Sequence, residues 1–213
     1  EFFTDNREQF YKETVEANIG MICVGTDQRS SRQAVEFAAN HEFTWAAIGV
    51  HPHDTKDGWG DVKTLLENKT ENSPIVAIGE IGLDYYYNNS PRETQIEGLE
   101  AQLQMAIDYD LPVSFHVRDG AAGQSSVWDD FWPIFDNFDG LRGVLHSFTD
   151  TSVNLEKGFS RNLYVGLNGI STFTKVQAQQ ELFATIPLDR LLVETDAPFL
   201  TPKPFRGKIN KPE

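Results

Sequence analysis

Short apolar runs alternate with amphipathic stretches along the whole chain. The runs are rich in Val, Ile, Leu and Ala, and apolar side chains occupy both faces of each run, which is typical of strands buried on two sides. Strands of this kind that are separated by helices pair in parallel through right-handed crossovers. The pattern predicts seven strands, at residues 21–24, 45–50, 75–78, 112–115, 142–145, 163–167 and 191–193.

The stretches between these strands carry apolar residues at helical spacing. Ser30 or Ser31 is expected to cap the second helix, and Pro133 is expected to kink or reset a later one. The other predicted helices cover residues 4–18, 61–69, 91–109, 127–135, 149–160 and 176–185.

The regular alternation of strands and helices predicts an α/β fold of the TIM-like (β/α) barrel type. An open doubly wound sheet is the alternative, because it needs no eighth strand. The chain begins in a predicted helix and ends in a loop after its last predicted strand. We therefore expect the barrel to lack its first strand and its C-terminal helix in this chain. Residues 1–213 are expected to form a single domain, truncated at both ends.

The composition adds two constraints. The formal net charge is −14, and an acidic chain repels polyanions at long range, so any contact with nucleic acid must rest on a local site. The single cysteine, Cys23, has no partner for a disulfide in the chain, which is typical of a reducing compartment. Because the sequence shows neither a membrane-length apolar run nor a basic leader, we expect a cytoplasmic protein.

Histidines and carboxylates follow the predicted strands. The C-terminal ends of barrel strands meet at one mouth, so these side chains are expected to converge. Imidazole and carboxylate groups without cysteine favour a divalent metal ion, and a central carboxylate that bridges two ions suits attack on a phosphoester. A single histidine at a strand end is more often structural than a metal ligand. Two histidines and two carboxylates at equivalent strand ends favour a metal site. Five residues follow strands directly, namely His51, Glu80, His116, His146 and Asp196, and the metal ligands expected among them are Glu80, His116, His146 and Asp196.

Five segments occur in the order found in a known family. Single motifs among them are weak, whereas the ordered set is highly specific and covers nearly the whole chain. On these segments the chain resembles the TatD-related metal-dependent hydrolases, relatives of the amidohydrolase superfamily. The segments are GVHPHD at 49–54, AIGEIGLDYY at 77–86, FHVRDG at 115–120, VLHSFT at 144–149 and LLVETDAPFLTPKPFRGK at 191–208.

The resemblance implies a hydrolase of phosphodiester bonds, a TatD-type deoxyribonuclease with two divalent metal ions (Mg²⁺, Mn²⁺ or Zn²⁺). It implies that Glu80 bridges the ions and that His116 and His146 bind the second ion. Asp196 would bind the first ion and accept a proton from the attacking water, so Glu80 and Asp196 are the expected catalytic residues. The family's His-x-His pair on the first strand has no counterpart in this chain.

Three further side chains are candidates for binding substrate. His53 and Arg118 lie near the expected mouth and could hold a phosphate, Arg118 through its bidentate fork. The alternative is a surface histidine and an ion pair between Arg118 and Asp119. His51 is expected to contact substrate, with a strand-end histidine that bonds to backbone as the alternative.

Other neighbours have weaker signals. Asp84 and Glu194 could orient a ligand histidine, although Asp84 could equally form a turn. The tyrosines at 85–87 follow Glu80 and could stack on an unpaired base, or simply cover the core. The cations of residues 203–211 could form a basic rim or a solvated loop.

The leading function is therefore hydrolysis of DNA or of another nucleotide phosphodiester by a monomer. Fold and ligands alone do not choose a substrate, so an amide or lactone hydrolase is the alternative enzyme. A metal-binding protein without turnover is the alternative outside catalysis.

Overall fold

The computed structural model describes residues 6–87, 89–121 and 125–212. Within these ranges seven strands form, and each overlaps a predicted one: β1 (Met21–Val24), β2 (Thr44–Ile48), β3 (Ile75–Asp84), β4 (Val113–Arg118), β5 (Gly143–Leu145), β6 (Tyr164–Leu167) and β7 (Leu191–Val193). The helices of the same ranges are α1 (Arg7–Glu16), α2 (Gln28–Ala39), α3 (Gly60–Glu67), α4 (Arg92–Asp108), α5 (Trp128–Asp136), α6 (Ser152–Ser160), α7 (Ile170–Phe173) and α8 (Gln177–Thr185). Residues 4 and 5 of the first predicted helix lie outside the described residues.

The chain divides into two compact units. The central unit is Ile22–Leu145, and the terminal unit combines Glu1–Met21 with His146–Glu213. The expectation that residues 1–213 form a single domain stays a prediction. Among the described helices, none combines the length and the apolar character that a membrane crossing requires.

The central unit is built on parallel strands that follow one another in chain order. β2 pairs with β3, β3 with β4, and β4 with β5, all in parallel. Helix α2 packs on β2, and α4 packs on β3. Most of the almost fully buried side chains of this unit are apolar, and they include Ile48, Ile78, Leu83, Leu99, Leu103, Phe115 and Phe131.

Strands β3 and β4 are longer than the sequence predicts. Glu80 and His116 were expected to follow their strands, but both lie inside them, so that expectation is wrong. The two strands keep pairing through Gly82 opposite His116 and Asp84 opposite Arg118. Gly82 makes this possible, because a Cβ there would lie 1.8 Å from the His116 carbonyl oxygen.

Helix α2 begins at Gln28 and is capped by Asp27, so the expectation that Ser30 or Ser31 caps it is wrong. The Asp27 carboxylate accepts a hydrogen bond from the Ser30 N–H at 2.6 Å. The Ser30 hydroxyl accepts one from the Asp27 N–H at 2.9 Å, which completes a capping box. Ser31 instead donates to the Gly49 carbonyl at 2.9 Å, and this bond ties α2 to the segment that precedes His51.

Two other helices differ from the sequence prediction. Helix α5 continues through Pro133 and ends at Asp136, so the proline does not reset it. Helix α7 is a single short turn at Ile170–Phe173, in a stretch for which the pattern predicts no helix.

The terminal unit contains β6 and β7, which pair in parallel. Its core includes Leu163 and Val165, both almost fully buried. An ion pair of 2.9 Å between Lys211 and Glu13 links the C-terminal segment to α1. This unit carries the predicted site residues His146 and Asp196.

Candidate metal centre

Strands β3 and β4 bring Glu80 and His116 together in the central unit. Glu80 Oε1 lies 3.0 Å from His116 Nδ1. The backbone N–H of Glu80 donates to the Gly25 carbonyl at 2.9 Å, which ties this part of β3 to the residue that follows β1. The side chains of Glu80 and His116 are only 13% and 20% exposed, so both are largely shielded from water.

Asp84 holds His116 from the other side of the ring. Its fully buried carboxylate accepts hydrogen bonds from His116 Nε2 at 2.8 Å and from His53 Nε2 at 3.0 Å. The backbone N–H groups of Tyr86 and Tyr87 also donate to it, each at 2.9 Å. Burial alone would raise the pKa of Asp84, but the hydrogen bonds from His116 and Tyr87 outweigh burial and lower it. Asp84 therefore contacts two histidine rings and also accepts the backbone N–H groups of the residues that follow it, so its contacts fit both interpretations made from the sequence.

His116 is set between two carboxylates. Burial disfavours its charged form, but the hydrogen bonds to Asp84 and Glu80 outweigh burial and raise the pKa of His116. With Nε2 donating to Asp84, Nδ1 is the nitrogen that faces Glu80. A histidine whose second nitrogen donates to a carboxylate has the arrangement of a metal ligand.

His51 completes the cluster but differs in electrostatics. Its Nε2 lies 3.8 Å from Glu80 Oε1, and its ring meets the His116 ring edge-on with centroids 4.2 Å apart. Burial, followed by the charge of His116, lowers the pKa of His51 to about 3, so it is neutral at physiological pH. The His53 backbone N–H points to His51 Nδ1 at 3.2 Å, which places the single ring proton on Nε2.

The residues of this cluster fit a divalent cation. Ligand atoms of His51, Glu80 and His116 all lie within 4.8 Å of one another. Two ligand atoms that are each about 2.1 Å from one ion can lie 3.0 Å apart, the separation of Glu80 Oε1 and His116 Nδ1. Imidazole nitrogen and carboxylate oxygen suit Zn²⁺ and Mn²⁺, and the carboxylate suits Mg²⁺. His51 carries its ring proton on Nε2, and its Nδ1 accepts the His53 N–H. His51 is therefore better suited to donate a hydrogen bond than to bind an ion, unlike Glu80 and His116.

The terminal unit contains a second histidine between carboxylates. His146 Nδ1 lies 3.0 Å from Glu194 Oε2, and His146 Nε2 lies 3.4 Å from Asp196 Oδ1. The Ser147 backbone N–H also donates to Glu194 at 3.0 Å. Gly166 leaves room for the Glu194 carboxylate, since a Cβ there would lie 1.8 Å from its oxygen. Glu194 thus holds His146 much as Asp84 holds His116.

The structure tests one of the two alternatives for Arg118, the ion pair with Asp119. Asp119 accepts hydrogen bonds from the Ser126 hydroxyl at 2.9 Å and the Val127 N–H at 2.6 Å. The Arg118 guanidinium instead lies over the rings of Tyr86 and Tyr87. In the described part of the chain, Arg118 and Asp119 therefore form no ion pair.

Two buried glutamines of α4 support the site, and the sequence analysis missed both. Gln95 accepts a hydrogen bond from the Asp84 N–H at 2.8 Å and donates to the Asp84 carbonyl at 3.1 Å. Gln102 does the same for Val50, at 2.7 and 3.1 Å, and so fixes the backbone next to His51. Their spacing of two helical turns places both on one face, and a polar pair on an apolar helix face is the signal that could have found them.

Comparison with known proteins identifies the family of the chain. The model of the family described as TatD related DNase matches residues 1–213. The chain is 32% identical over 212 residues to a protein of Bacillus subtilis named uncharacterized metal-dependent hydrolase YabD, covering 100% of this chain and 81% of that protein. It is 36% identical over 209 residues to the 3'-5' ssDNA/RNA exonuclease TatD of Erwinia tasmaniensis, covering 97% of this chain and 79% of the relative.

Solved structures show the same fold. The TatD homologue YJJV of Escherichia coli superposes with a TM-score of 0.85 and 27% identity, over 99% of this chain and 80% of that one. A TatD family hydrolase of Entamoeba histolytica gives a TM-score of 0.78 at 26% identity, over 96% of this chain and 69% of that one. The prediction of a TIM-like α/β barrel is confirmed by this likeness, and the curated relatives do not favour the amide or lactone hydrolase. The chain belongs to the TatD-related DNase family and is a metal-dependent hydrolase of the nuclease type.

Proposed function

We propose that this protein removes nucleotides from single-stranded DNA or RNA by hydrolysis at the 3' end, the activity named for its Erwinia relative. The observation that carries the proposal is His116, held by Asp84 on one nitrogen and facing Glu80 with the other. This arrangement orients a metal ligand before any ion binds. The native ion is Mg²⁺, Mn²⁺ or Zn²⁺, and we propose two ions in the working enzyme.

Glu80 and His116 would hold a divalent ion in the central unit. When bound, the ion supplies Lewis-acid polarisation of a phosphoryl oxygen and activation of the attacking water. The Asp84 carboxylate keeps the His116 ring in place and accepts hydrogen bonds from both His53 and His116. Exclusion of water around the nearly buried Glu80 carboxylate strengthens every electrostatic contact there.

His51, His53 and Arg118 are the proposed substrate-binding residues. Neutral His51 presents an Nε2 proton near Glu80, and this N–H can donate to a phosphate oxygen without repelling a cation. His53 is anchored by Asp84. Arg118 supplies the positive charge that a flanking phosphate requires.

In the terminal unit, His146 and Asp196 remain the proposed metal ligands. Glu194 fixes the His146 ring through Nδ1, so that Nε2 faces Asp196. The Asp196 carboxylate is 38% exposed and is the proposed acceptor of the proton released by the attacking water. We further propose that the protein acts as a monomer in the cytoplasm. A single cysteine in 213 residues, which is typical of proteins from a reducing compartment, supports the proposed location.

The test uses the metal-stripped protein and a single-stranded oligonucleotide labelled at its 5' end. Addition of Mg²⁺, Mn²⁺ or Zn²⁺ is expected to restore stepwise shortening from the 3' end. Glu80→Gln and His116→Gln should each lower kcat/KM at least about a hundredfold, because each removes a ligand. Calorimetry should show weaker Mn²⁺ binding in both variants.

The control is His41→Gln, which changes a histidine that stacks on Phe37 of α2. This variant should cleave like the wild type. Full activity of Glu80→Gln, or equal cleavage in the presence of a chelator, would overturn the proposal.

A further inference from the structure

Two exposed tyrosines stand directly beyond the metal centre. Tyr86 is 52% exposed and Tyr87 is 44% exposed, and their rings meet edge-on with centroids 4.8 Å apart. Tyr85 differs, because it is 8% exposed and its hydroxyl donates to Asp130. The sequence-based suggestion of base stacking is therefore wrong for Tyr85, and it stays open for the other two.

Arg118 joins the two tyrosines. Its guanidinium carbon lies 4.3 Å from the Tyr86 ring centroid and 4.9 Å from the Tyr87 ring centroid. The pairing of Asp84 with Arg118 across β3 and β4 sets this position. In the part of the chain that the structure describes, the guanidinium has these ring contacts and no carboxylate partner. We call Tyr86, Tyr87 and Arg118 the tyrosine–arginine platform.

The platform is fixed to the metal centre by one carboxylate. Asp84 Oδ1 accepts the backbone N–H groups of Tyr86 and Tyr87, while Oδ2 accepts from His53 and His116. The Tyr87 ring also meets the His53 ring edge-on, with centroids 5.4 Å apart. The backbone under the platform is thus held by the group that orients the proposed metal ligand.

Such a surface has the chemistry of a site for an unpaired base. Aromatic rings stack on any nucleobase, and arginine adds a cation that contacts either the base face or the phosphate beside it. Two half-exposed aromatic rings on an acidic protein keep a large apolar area in water, which costs free energy unless a ligand covers it. The pairing of β3 with β4 and the hydrogen bonds of Asp84 hold this area next to the groups proposed to bind phosphate.

We propose that the tyrosine–arginine platform binds one unpaired nucleobase of the substrate strand, next to the phosphodiester that is cleaved. This inference rests on the proposed function, because it assigns a base-binding position to the same site. Because the two rings are inclined at 80° to each other, the base stacks face to face on one of them and meets the other edge-on, and the Arg118 guanidinium contacts its phosphate. The platform therefore selects for single strands, in which the base is free to leave its neighbours.

The test compares Tyr86→Ala and Tyr87→Ala with Tyr86→Phe and Tyr87→Phe. Binding of a labelled single-stranded oligonucleotide is followed by fluorescence anisotropy with Ca²⁺, and KM and kcat for its cleavage are measured with Mg²⁺ or Mn²⁺. Each alanine variant is expected to raise Kd and KM roughly tenfold, the loss of one stacked base. The phenylalanine variants keep the ring and should restore both values.

The decisive readout is a strand with abasic sites in its last three nucleotides. The wild type should bind this strand roughly tenfold more weakly than the normal one, whereas Tyr86→Ala and Tyr87→Ala should bind both strands equally. The matched control is Tyr164→Ala, since Tyr164 is 39% exposed and lies under Arg190. This variant should discriminate between the strands as the wild type does.

The outcomes separate the two proposals. Suppose that the wild type cleaves the normal strand, and that Tyr86→Ala and Tyr87→Ala discriminate between the normal and abasic strands as Tyr164→Ala does. The platform is then overturned, and the proposed function stands. If the wild type leaves the strand intact with every metal, the proposed function fails, and the anisotropy comparison still decides the platform. If the phenylalanine variants bind the strand as weakly as the alanine variants do, the stacking proposal is also overturned.

Discussion

At the scale of single residues, carboxylates decide what each histidine of the site can do. His116 lies between Glu80 and Asp84, and His146 lies between Glu194 and Asp196. In each case one carboxylate fixes the ring and its proton, and the other faces the remaining nitrogen. For His51, the backbone N–H of His53 fixes the position of the ring proton, and burial keeps the imidazole neutral. The same residue type is therefore placed as a proposed metal ligand in one position and as a hydrogen-bond donor in another.

Asp84→Asn tests this assignment. The asparagine side chain carries no negative charge and accepts through one oxygen only, so its hydrogen bond to the His116 ring is weaker and the ring is less well oriented. Metal affinity and kcat/KM should both fall about 10- to 100-fold, the usual cost of losing such a partner. Calorimetric titration with Mn²⁺ and kinetics on a single-stranded oligonucleotide provide the measurements.

The control for Asp84→Asn is Asp108→Asn, at an exposed carboxylate that accepts a hydrogen bond from Gln104 at the end of α4. Metal affinity should not change in that variant. Unchanged Mn²⁺ affinity in Asp84→Asn would contradict the role assigned to Asp84.

At the scale of elements, α4 supports the site through backbone contacts. Gln102 of α4 satisfies both the N–H and the carbonyl of Val50, and all of these groups are buried. Gln102→Ala leaves two buried backbone groups without their partner and opens a cavity. The free energy of unfolding should fall by about 3 kcal/mol, as measured by urea denaturation.

Gln104→Ala is the matched control for this prediction, because Gln104 is exposed on the same helix and bonds only to Asp108 among the contacts described here. Its change in the free energy of unfolding should stay within about 0.5 kcal/mol. Equal stability of the two variants would show that the Val50 contacts contribute little.

The N-cap of α2 makes a pH-dependent contribution to stability. Burial raises the pKa of Asp27, but hydrogen bonds from Ser30 outweigh burial and leave it below the ordinary value of 3.8. A carboxylate with a lowered pKa stabilises the folded state above that ordinary value, and this stabilisation is lost as the pH falls through the lowered pKa. Asp27→Ala should therefore cost about 1 kcal/mol at pH 7 and progressively less below pH 3.8.

Urea denaturation of wild type and Asp27→Ala at pH 7 and near pH 3 checks this expectation. The exposed Asp129 of the first turn of α5 provides a control variant, Asp129→Ala, that removes a carboxylate without removing a cap. A difference between wild type and Asp27→Ala that stayed constant across the range would contradict the role of the carboxylate.

The positions of the described strands, and of the described α-helices other than α7, followed from the hydrophobic pattern, but their ends did not. The apolar run of β3 was visible from Ile75, yet the strand continues to Asp84 because Gly82 lets its backbone approach β4. Likewise the start of α2 depends on a reciprocal bond between Asp27 and Ser30. Local composition sets the type of an element, whereas its boundaries depend on partners far away or on a single side chain.

At the scale of the whole molecule, the acidic balance confines nucleic-acid binding to local contacts. With a formal net charge of −14, the protein repels a polyanion at long range, so we expect only a few cations close to the site to release counterions from a strand. The logarithm of the affinity should therefore fall with the logarithm of the salt concentration with a shallow slope, between about −0.7 and −2 for a single strand. Anisotropy titrations between low and high salt measure it.

Arg118→Ala should make this slope shallower by about 0.7, the share of one phosphate contact on a single strand. Arg190→Ala removes a cation that lies over Tyr164 and should leave the slope unchanged. A slope of about −4 or steeper in the wild type would point to an extended basic surface and contradict the local site.

The sequence by itself determined the fold class, the order of the strands along the chain and the family, because periodicity and ordered motifs are local properties of the chain. It also singled out Glu80, His116 and His51 as candidates for one site. Only the tertiary structure decided which nitrogen of each histidine faces which carboxylate, that Gln95 and Gln102 hold the backbone of the site, and that Arg118 lies on Tyr86 and Tyr87 rather than on Asp119. These features depend on distances between residues that are remote along the chain, and no local pattern encodes such distances.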